Sequence, residues 1–129
     1  LCCHDDSFAA GFLESVVQAT VDNCTVALIC HDVCYPEPLN SVRPIGSPFA
    51  VAMVFSPFKS PRSIAEIMVT LAEQPSTISV APGDLEDLRQ NVPAARSLPL
   101  LAMISAREAG EVVLSYLGDM ALVLHVTPR

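Results

Sequence analysis

Thiol and imidazole side chains are concentrated in two short stretches of the chain. Residues 2–4 are Cys-Cys-His, and residues 30–34 are Cys-His-Asp-Val-Cys. Thiolate, imidazole and carboxylate groups are the ligands that zinc takes from proteins. The two stretches together therefore raise the possibility of a zinc site.

The position of the second stretch at the end of a predicted strand argues against zinc. A zinc knuckle holds its closely spaced cysteines in a turn, whereas residues 24–30 form an apolar, β-branched run typical of a strand. Strand alternation directs Cys30 and His31 to opposite faces of a sheet. Buried thiols behave as small apolar groups. We therefore predict no metal and no cofactor.

Carboxylates also cluster, and a pair of them can act as acid and base. Asp5, Asp6 and Glu14 lie near one predicted helix, and Glu86 and Asp87 begin another. Acidic residues favour helix N-termini and solvated helix faces. This preference explains the clusters without catalysis.

Composition predicts one folded domain spanning residues 1–129. Of 129 residues, 51% are apolar and 16% are charged, and the mean hydropathy is +0.45, unlike disordered chains. Charged residues or prolines interrupt every apolar run, so no segment reaches the roughly 18 to 20 apolar residues of a membrane-spanning helix. A net charge of −7 has the wrong sign for binding phosphates, which argues against nucleic acid as a partner.

The chain begins at Leu1 and has no charged segment followed by an apolar one, so no secretory signal is visible. We expect a piece of a longer gene product that lacks its N-terminal part. Five cysteines, an odd number in a chain large enough to bury a core, favour reduced thiols and a cytoplasmic location.

The first half of the chain predicts one helix and two buried strands. Apolar residues recur at helical spacing over residues 8–21, where residues 9–11 (Ala-Ala-Gly) form a small-residue patch that a second backbone can approach closely. Continuous apolar runs at 24–30 and 49–55 predict strands buried on both faces. Four prolines make residues 32–48 a loop.

The second half starts with an ambiguous segment. Residues 63–73 fit both helical and strand periodicity, and we favour a strand. Acidic residues at the start of 83–92 predict a helix. Pro93 begins another helix, Pro99 starts or kinks its regular part, and Gly110 ends it.

The chain is expected to end in a hairpin. Residues 111–117 and 120–126 are strand candidates joined by a two-residue Gly118-Asp119 turn. The predicted fold class is α/β, with a mixed sheet centred on strands 24–30 and 49–55, helices on its faces, and the antiparallel hairpin at its edge.

Four segments together resemble β-ketoacyl synthase-like proteins, which have only an N-terminal-type half of the thiolase fold and accompany type II fatty acid or aryl polyene gene sets. The segments are residues 5–14 (DDSFAAGFLE), 35–45 with 49–54 (YPEPLNSVRPI and FAVAMV), 91–101 (NVPAARSLPLL) and 110–117 (GEVVLSYL).

The resemblance implies a thiolase-like fold whose first strands lie upstream, and it makes residues 8–21 the helix after the synthase nucleophile. Cys3 then occupies the position of the catalytic nucleophile. The N–H groups and macrodipole of a helix N-terminus favour a thiolate, whereas Asp5 and Asp6 disfavour it.

Condensing enzymes similar to this chain bring two histidines, or His and Asn, from their C-terminal half. Here His4, His31 and His125 are the histidines of the chain, and none lies in comparable surroundings. The chain therefore looks like a chain-length factor, an inactive partner that shapes the acyl tunnel of a ketosynthase.

For that role we expect an interface formed by Ala9, Ala10, Gly11 and Phe12, where small residues allow close approach. The partner is a ketosynthase subunit, in a heterodimer, or a second copy of the chain. Phe49, Val51 and Met53 are candidates for lining the acyl tunnel, although a buried strand explains the same pattern.

Arg43 and Arg96 lie in the family-like segments, where they contact an acidic carrier protein, contact the partner, or form internal salt bridges. The acidity of the chain argues against direct docking of acyl carrier protein, so the carrier is an indirect partner. Two other functions stay open: an acyl-transferring 3-oxoacyl-ACP synthase with Cys3 as nucleophile, and an unrelated binding task on the same scaffold.

Overall fold

A computed structural model describes residues 2–73, 75 and 77–129. Its helices are α1 (Ser7–Val21), α2 (Leu39–Val42), α3 (Leu85–Asn91) and α4 (Leu98–Ala106), with 3-10 turns at His4–Asp6 and Pro93–Ser97. Its strands are β1 (Val26–Asp32), β2 (Phe49–Phe55), β3 (Ala65–Glu73), β4 (Gly110–Tyr116) and β5 (Met120–Pro128). None of the described helices is long and apolar enough to cross a membrane.

The strands form two separate antiparallel sheets. In the first sheet β1 pairs with β2, from Val26 opposite Phe55 to Asp32 opposite Phe49. The second sheet has the order β3-β5-β4. The predicted mixed sheet is therefore wrong for the described residues, although helices combined with strands are confirmed. A parallel pair needs a long crossover, usually helical, and the four-residue α2 is the only helix described between β1 and β2.

Helix α1 contacts the inner faces of both sheets, so the main core lies around it. Phe8 and Phe12 are buried with Leu122 and Leu124 of β5. The Phe12 ring also meets the Phe55 ring of β2 edge to face, with centroids 4.9 Å apart. One helix thus joins two sheets between which the described residues form no strand pairing.

Several local predictions are confirmed. The helix predicted over 8–21 is α1, the strand predicted over 49–55 is β2, and the ambiguous segment 63–73 contains β3. Burial of the first sheet on both faces is wrong for the described chain: Ile29 is 69% exposed and Val54 is 72% exposed. An apolar run does not distinguish a strand covered on one face from a strand covered on both.

In the C-terminal half, the helix ends and the hairpin turn differ from those that the sequence predicts. The segment from Pro93 begins as a 3-10 turn, and regular α4 starts at Leu98, next to Pro99 as predicted. Arg107, with φ of 55°, ends α4 in place of Gly110. The hairpin turn has three residues, because Tyr116 pairs with Met120.

Candidate functional site

Cys3 lies at the amino end of the helical segment formed by the His4–Asp6 turn and α1. Its amide donates to Ser7 Oγ at 2.9 Å, and its carbonyl accepts from the Asp6 amide at 3.1 Å. His4 takes a left-handed conformation, with φ of 58°, an uncommon one outside glycine. The half-buried Cys3 therefore sits in a sharp turn that leads into α1.

Two arginines converge on Asp5 beside this turn. Arg43 donates to Asp5 Oδ1, and Arg96 Nη2 lies 3.7 Å from Asp5 Oδ2. Partial burial alone would raise the pKa of Asp5, but the hydrogen bond from Arg43 and the positive charges around it hold that pKa below its usual value. Arg43 and Arg96 thus form the internal salt bridges that the sequence left as one possibility.

The second carboxylate of the turn, that of Asp6, accepts a hydrogen bond from a residue far along the chain. Ser115 Oγ donates to Asp6 Oδ1 at 3.1 Å, which ties the turn to β4. The sequence contains no signal for this contact, because the two residues are 109 positions apart. Both anions predicted to oppose a Cys3 thiolate are therefore hydrogen-bonded by other groups.

The three histidines lie in different surroundings, and only His4 is near Cys3, as the next residue of the turn. His4 is 74% exposed, and its ring lies 2.9 Å from Arg43 Nη1. His31 is on the face of β1 opposite to Leu28 and Cys30, which pack towards α1. His125 alternates with core residues Leu124 and Val126 of β5 and pairs with Glu111 at 3.0 Å. His31 and His125 are thus on the outer faces of the two sheets, away from α1.

The space beside the turn is small. A cavity of ≈ 10 Å³ lies among side chains that include Asp5, Asp6, Phe8, Arg96 and Ser115. This volume holds about one water molecule. A wider opening of ≈ 400 Å³ adjoins it at Ser115 and continues to Met120, along β4 and β5. The cavity at the turn therefore has no room for an acyl chain.

The residues predicted as an interface are in the interior. Ala9 is 3%, Ala10 6% and Phe12 0% exposed. A Cβ on Gly11 would come within 3.0 Å of Leu28 Cδ1, so the Leu28 side chain of β1 packs closely against the small-residue patch. This placement corrects the interface prediction, because these four residues have no surface to offer a partner in the chain described.

The residues predicted to line an acyl tunnel face inwards from β2. Val51 and Met53 pack against the main core, and Phe49 packs against a second core that includes Ile45 and Val92. These contacts agree with the alternative of an ordinary packed strand. Neither cavity described above is lined by the three residues.

The first residues of the second cysteine stretch belong to strand β1. Cys30 faces the core and His31 faces outwards, as strand alternation predicts. Burial raises the pKa of the Cys30 thiol, and the Asp32 charge raises it further. Within the described ranges no group of three or more potential ligands is placed to hold a metal, and all five cysteines are free thiols.

Asp32 has a role that the sequence did not indicate. Its Oδ2 accepts from the Ala94 amide at 2.6 Å, at the start of the Pro93–Ser97 turn. The carboxylate thus satisfies an amide that the helical turn leaves unpaired. Because 62 residues separate the partners, no local pattern could reveal the contact.

Comparisons with known proteins found no relative of this chain. No family model matches it, and neither a curated protein nor a solved structure is significantly similar.

Proposed function

We propose that this chain is a non-catalytic, ketosynthase-like subunit that pairs with an active β-ketoacyl-ACP synthase in fatty acid or aryl polyene biosynthesis. Its fold in this proposal is a thiolase-like half-domain, in which α1 is the helix that follows the nucleophile position. The observation that carries the proposal is a cysteine at a helix N-terminus without the groups that a condensation needs.

Decarboxylation and condensation require groups that hold and move protons at the reacting carbonyl. His4 is turned towards Arg43 and solvent, while His31 and His125 lie on the outer faces of the sheets. A thiol alone can accept an acyl group but cannot complete the reaction. This supports a partner role in preference to an independent enzyme.

The small cavity beside the His4–Asp6 turn supports the same role. The cavity beside the turn has a volume of ≈ 10 Å³, and Phe49, Val51 and Met53 are packed into cores. The acyl chain would therefore be held by the active subunit. With a net charge of −7, this chain repels an acidic carrier protein, so carrier docking belongs to the partner as well.

The left-handed turn at His4 favours a second candidate, acyl transfer through Cys3. The Cys3 thiol would give up its proton and attack the thioester of an acyl-carrier protein, forming acyl-Cys3, while the carrier sulfur leaves as a thiolate that takes up the proton released by Cys3. A backbone held in a rare conformation is common at reactive residues.

Reconstitution with purified ketosynthase and acyl carrier protein separates the two candidates. Product formation and chain length are measured with wild-type chain, Cys3→Ser, and Cys2→Ser as the matched control. The subunit role predicts that both variants support the same products as wild type and that omitting the chain changes product length. Stoichiometric iodoacetamide labelling at Cys3, together with product loss in Cys3→Ser alone, would establish acyl transfer.

A further inference from the structure

One nitrogen of the Arg96 side chain lacks a hydrogen-bond partner. Among the described residues, Arg96 Nε is the only buried side-chain nitrogen or oxygen atom without one. Another nitrogen of the same guanidinium group, Nη2, lies 3.7 Å from Asp5 Oδ2. Buried polar groups in folded proteins are almost always hydrogen-bonded, either to the protein or to an ordered water molecule. We therefore expect the Nε–H group to donate to an acceptor other than a protein group.

Arg96 also lines the small cavity beside the His4–Asp6 turn. The cavity has a volume of ≈ 10 Å³, and the apolar residues Phe8, Ala9 and Leu114 form part of its wall. About 10 to 15 Å³ of such space is the minimum that a single water molecule needs. A phosphate, a sugar or an acyl group is much larger than one water molecule, so none of them fits in this cavity.

The charges around the cavity balance. Its charged lining residues are two carboxylates, Asp5 and Asp6, and two guanidinium groups, Arg89 and Arg96. A buried ion is stable only when a group of opposite charge pairs with it. Because each sign is already matched within the lining, the cavity favours a neutral ligand over a cation or an anion. Size and charge together therefore indicate water.

The lining also supplies the partners that a buried water molecule needs. Such a molecule typically makes about three hydrogen bonds to polar groups that would otherwise be unsatisfied. Arg96 Nε has one hydrogen to donate. Ser115 Oγ donates to Asp6 Oδ1 at 3.1 Å, and both the hydroxyl and the carboxylate retain lone pairs that accept further hydrogen bonds. The cavity thus presents one free donor and two acceptors to a molecule between them.

We infer that this cavity binds one water molecule, which accepts a hydrogen bond from Arg96 Nε and donates to the Asp6 carboxylate or the Ser115 hydroxyl. The inference goes beyond the subunit role, because the ligand is a structural water molecule and no partner protein is involved. It does not rest on the proposed function.

The bound water molecule extends the role of Arg96. Through Nη2 this residue approaches Asp5 directly, and through Nε and the water molecule it holds Asp6. Both carboxylates of the turn that follows Cys3 are thereby attached to the same guanidinium group. The water site therefore fixes the position of that turn relative to the Pro93–Ser97 segment, in which Arg96 lies.

A crystal structure of the chain, at a resolution that shows ordered solvent, tests the site directly. The inference predicts electron density for one water molecule within hydrogen-bond distance of Arg96 Nε and of Asp6 or Ser115. A direct hydrogen bond from Arg96 Nε to a protein acceptor, or a cavity without solvent density, overturns it. A second crystal grown in bromide identifies the ligand further, because anomalous scattering at this position would show an anion and contradict a water molecule.

Oxygen-17 magnetic relaxation dispersion counts the long-lived water molecules of the protein in solution. Arg96→Met removes the Nε donor, and Arg43→Met is the matched control, since Arg43 also pairs with Asp5 but does not line the cavity. Ser115→Val removes the hydroxyl and fills the space with methyl groups. Thr70→Val makes a similar change at an exposed position of β3 and is its control. Circular dichroism establishes whether each variant folds.

The inference predicts that Arg96→Met and Ser115→Val each have about one long-lived water molecule fewer than the wild type, and that both controls keep the wild-type number. An unchanged number in either of the two folded cavity variants overturns it. If neither cavity variant folds, the crystal structure of the wild type decides the question. None of these results bears on the subunit role, which reconstitution with a ketosynthase tests.

Discussion

The outer faces of the two sheets are built from strands of similar length but differ in chemistry. On the three-stranded sheet, Glu111 pairs with His125 across β4 and β5, and Glu66 pairs with Arg129. The outer face of the first sheet has no ion pair among the described residues, and Ile29 there is 69% exposed. This face is formed by Ala27, Ile29, His31, Ala50, Ala52 and Val54. The first pattern is typical of a solvated sheet face, whereas on the second face apolar side chains remain exposed.

The two sheets also differ in the contacts that stabilise them. The second sheet combines charged side chains on its outer face with a β4 edge that Ser79 covers. In the described part of the chain the first sheet has two strands, and two strands alone are marginally stable. Its stability depends on α1 packing against its inner face. The following changes test this asymmetry, in order of decreasing expected effect.

Phe12→Ala should have the largest effect, because the Phe12 side chain is fully buried and joins the cores of both sheets. Truncation of a buried phenylalanine costs about 3 to 5 kcal/mol of unfolding free energy. Urea denaturation measures the loss, and hydrogen exchange should be faster in both sheets. Val17→Ala, at an exposed position of the same helix, should change stability by less than about 0.5 kcal/mol. Faster exchange in one sheet alone would contradict a shared core.

Asp32→Ala should weaken the attachment of the first sheet to the Pro93–Ser97 turn. The Ala94 amide loses its acceptor, which costs about 1 to 2 kcal/mol, as for the loss of a helix cap. Asp32→Asn keeps an acceptor and should lose less. Thermal unfolding measures both, with Asp22→Ala in the turn after α1 as the control. Equal stability of the Asp32→Ala variant and the control would show that the hydrogen bond has no net stabilising role.

Ser79→Ala should partly uncover the β4 edge. The Val113 amide loses its hydroxyl acceptor, while the Ser79 amide still donates to the Val113 carbonyl. One such hydrogen bond contributes about 0.5 to 1.5 kcal/mol. Amide exchange at Val113 should accelerate relative to Thr77→Ala, which changes an exposed neighbour. Unchanged exchange would mean that the backbone contact alone protects this edge.

The Glu86 carboxylate should make a small, pH-dependent contribution to the stability of the segment that leads to the β4 edge. Hydrogen bonds from Arg89, Gln90 and the Ala81 amide lower the pKa of Glu86 from 4.5 to about 2. A carboxylate with a lowered pKa stabilises the fold above its unfolded pKa, and that stability is lost as the pH falls towards the folded value.

Glu86→Gln should therefore be less stable than wild type at neutral pH, and the difference should shrink as the pH falls from 4.5 to about 2. Urea midpoints across this range measure it, with the exposed Glu108→Gln as the control. A difference that is independent of pH would show that the Glu86 charge does not contribute.

Local patterns predicted the elements and missed their assembly. The helical spacing over residues 8–21 identified α1, and the apolar run over 49–55 identified β2. The periodicity of the side chains and the conformational entropy of a few neighbouring residues decide whether such a segment is a helix or a strand. The division into two sheets was missed, since the pairing of strands depends on segments far apart in the chain.

At the candidate site, too, local patterns predicted the element but not its long-range contacts. Acidic residues ahead of an apolar run indicated a helix N-terminus near Cys3, which the fold has. The arginines that neutralise Asp5 are 38 and 91 positions away, and the Ser115 partner of Asp6 is further still. Sequence patterns carry no information about such contacts because they arise only when the elements pack.

The sequence by itself determined the helix that begins after Cys3, the apolar strands and the acidity that disfavours phosphate-bearing partners, because these follow from neighbouring residues and total charge. Only the tertiary structure decided that Gly11 faces β1 and that Ile29 and Val54 face outwards. The reason is physical: alternation along a strand fixes two faces, but which face is covered depends on the element that packs there.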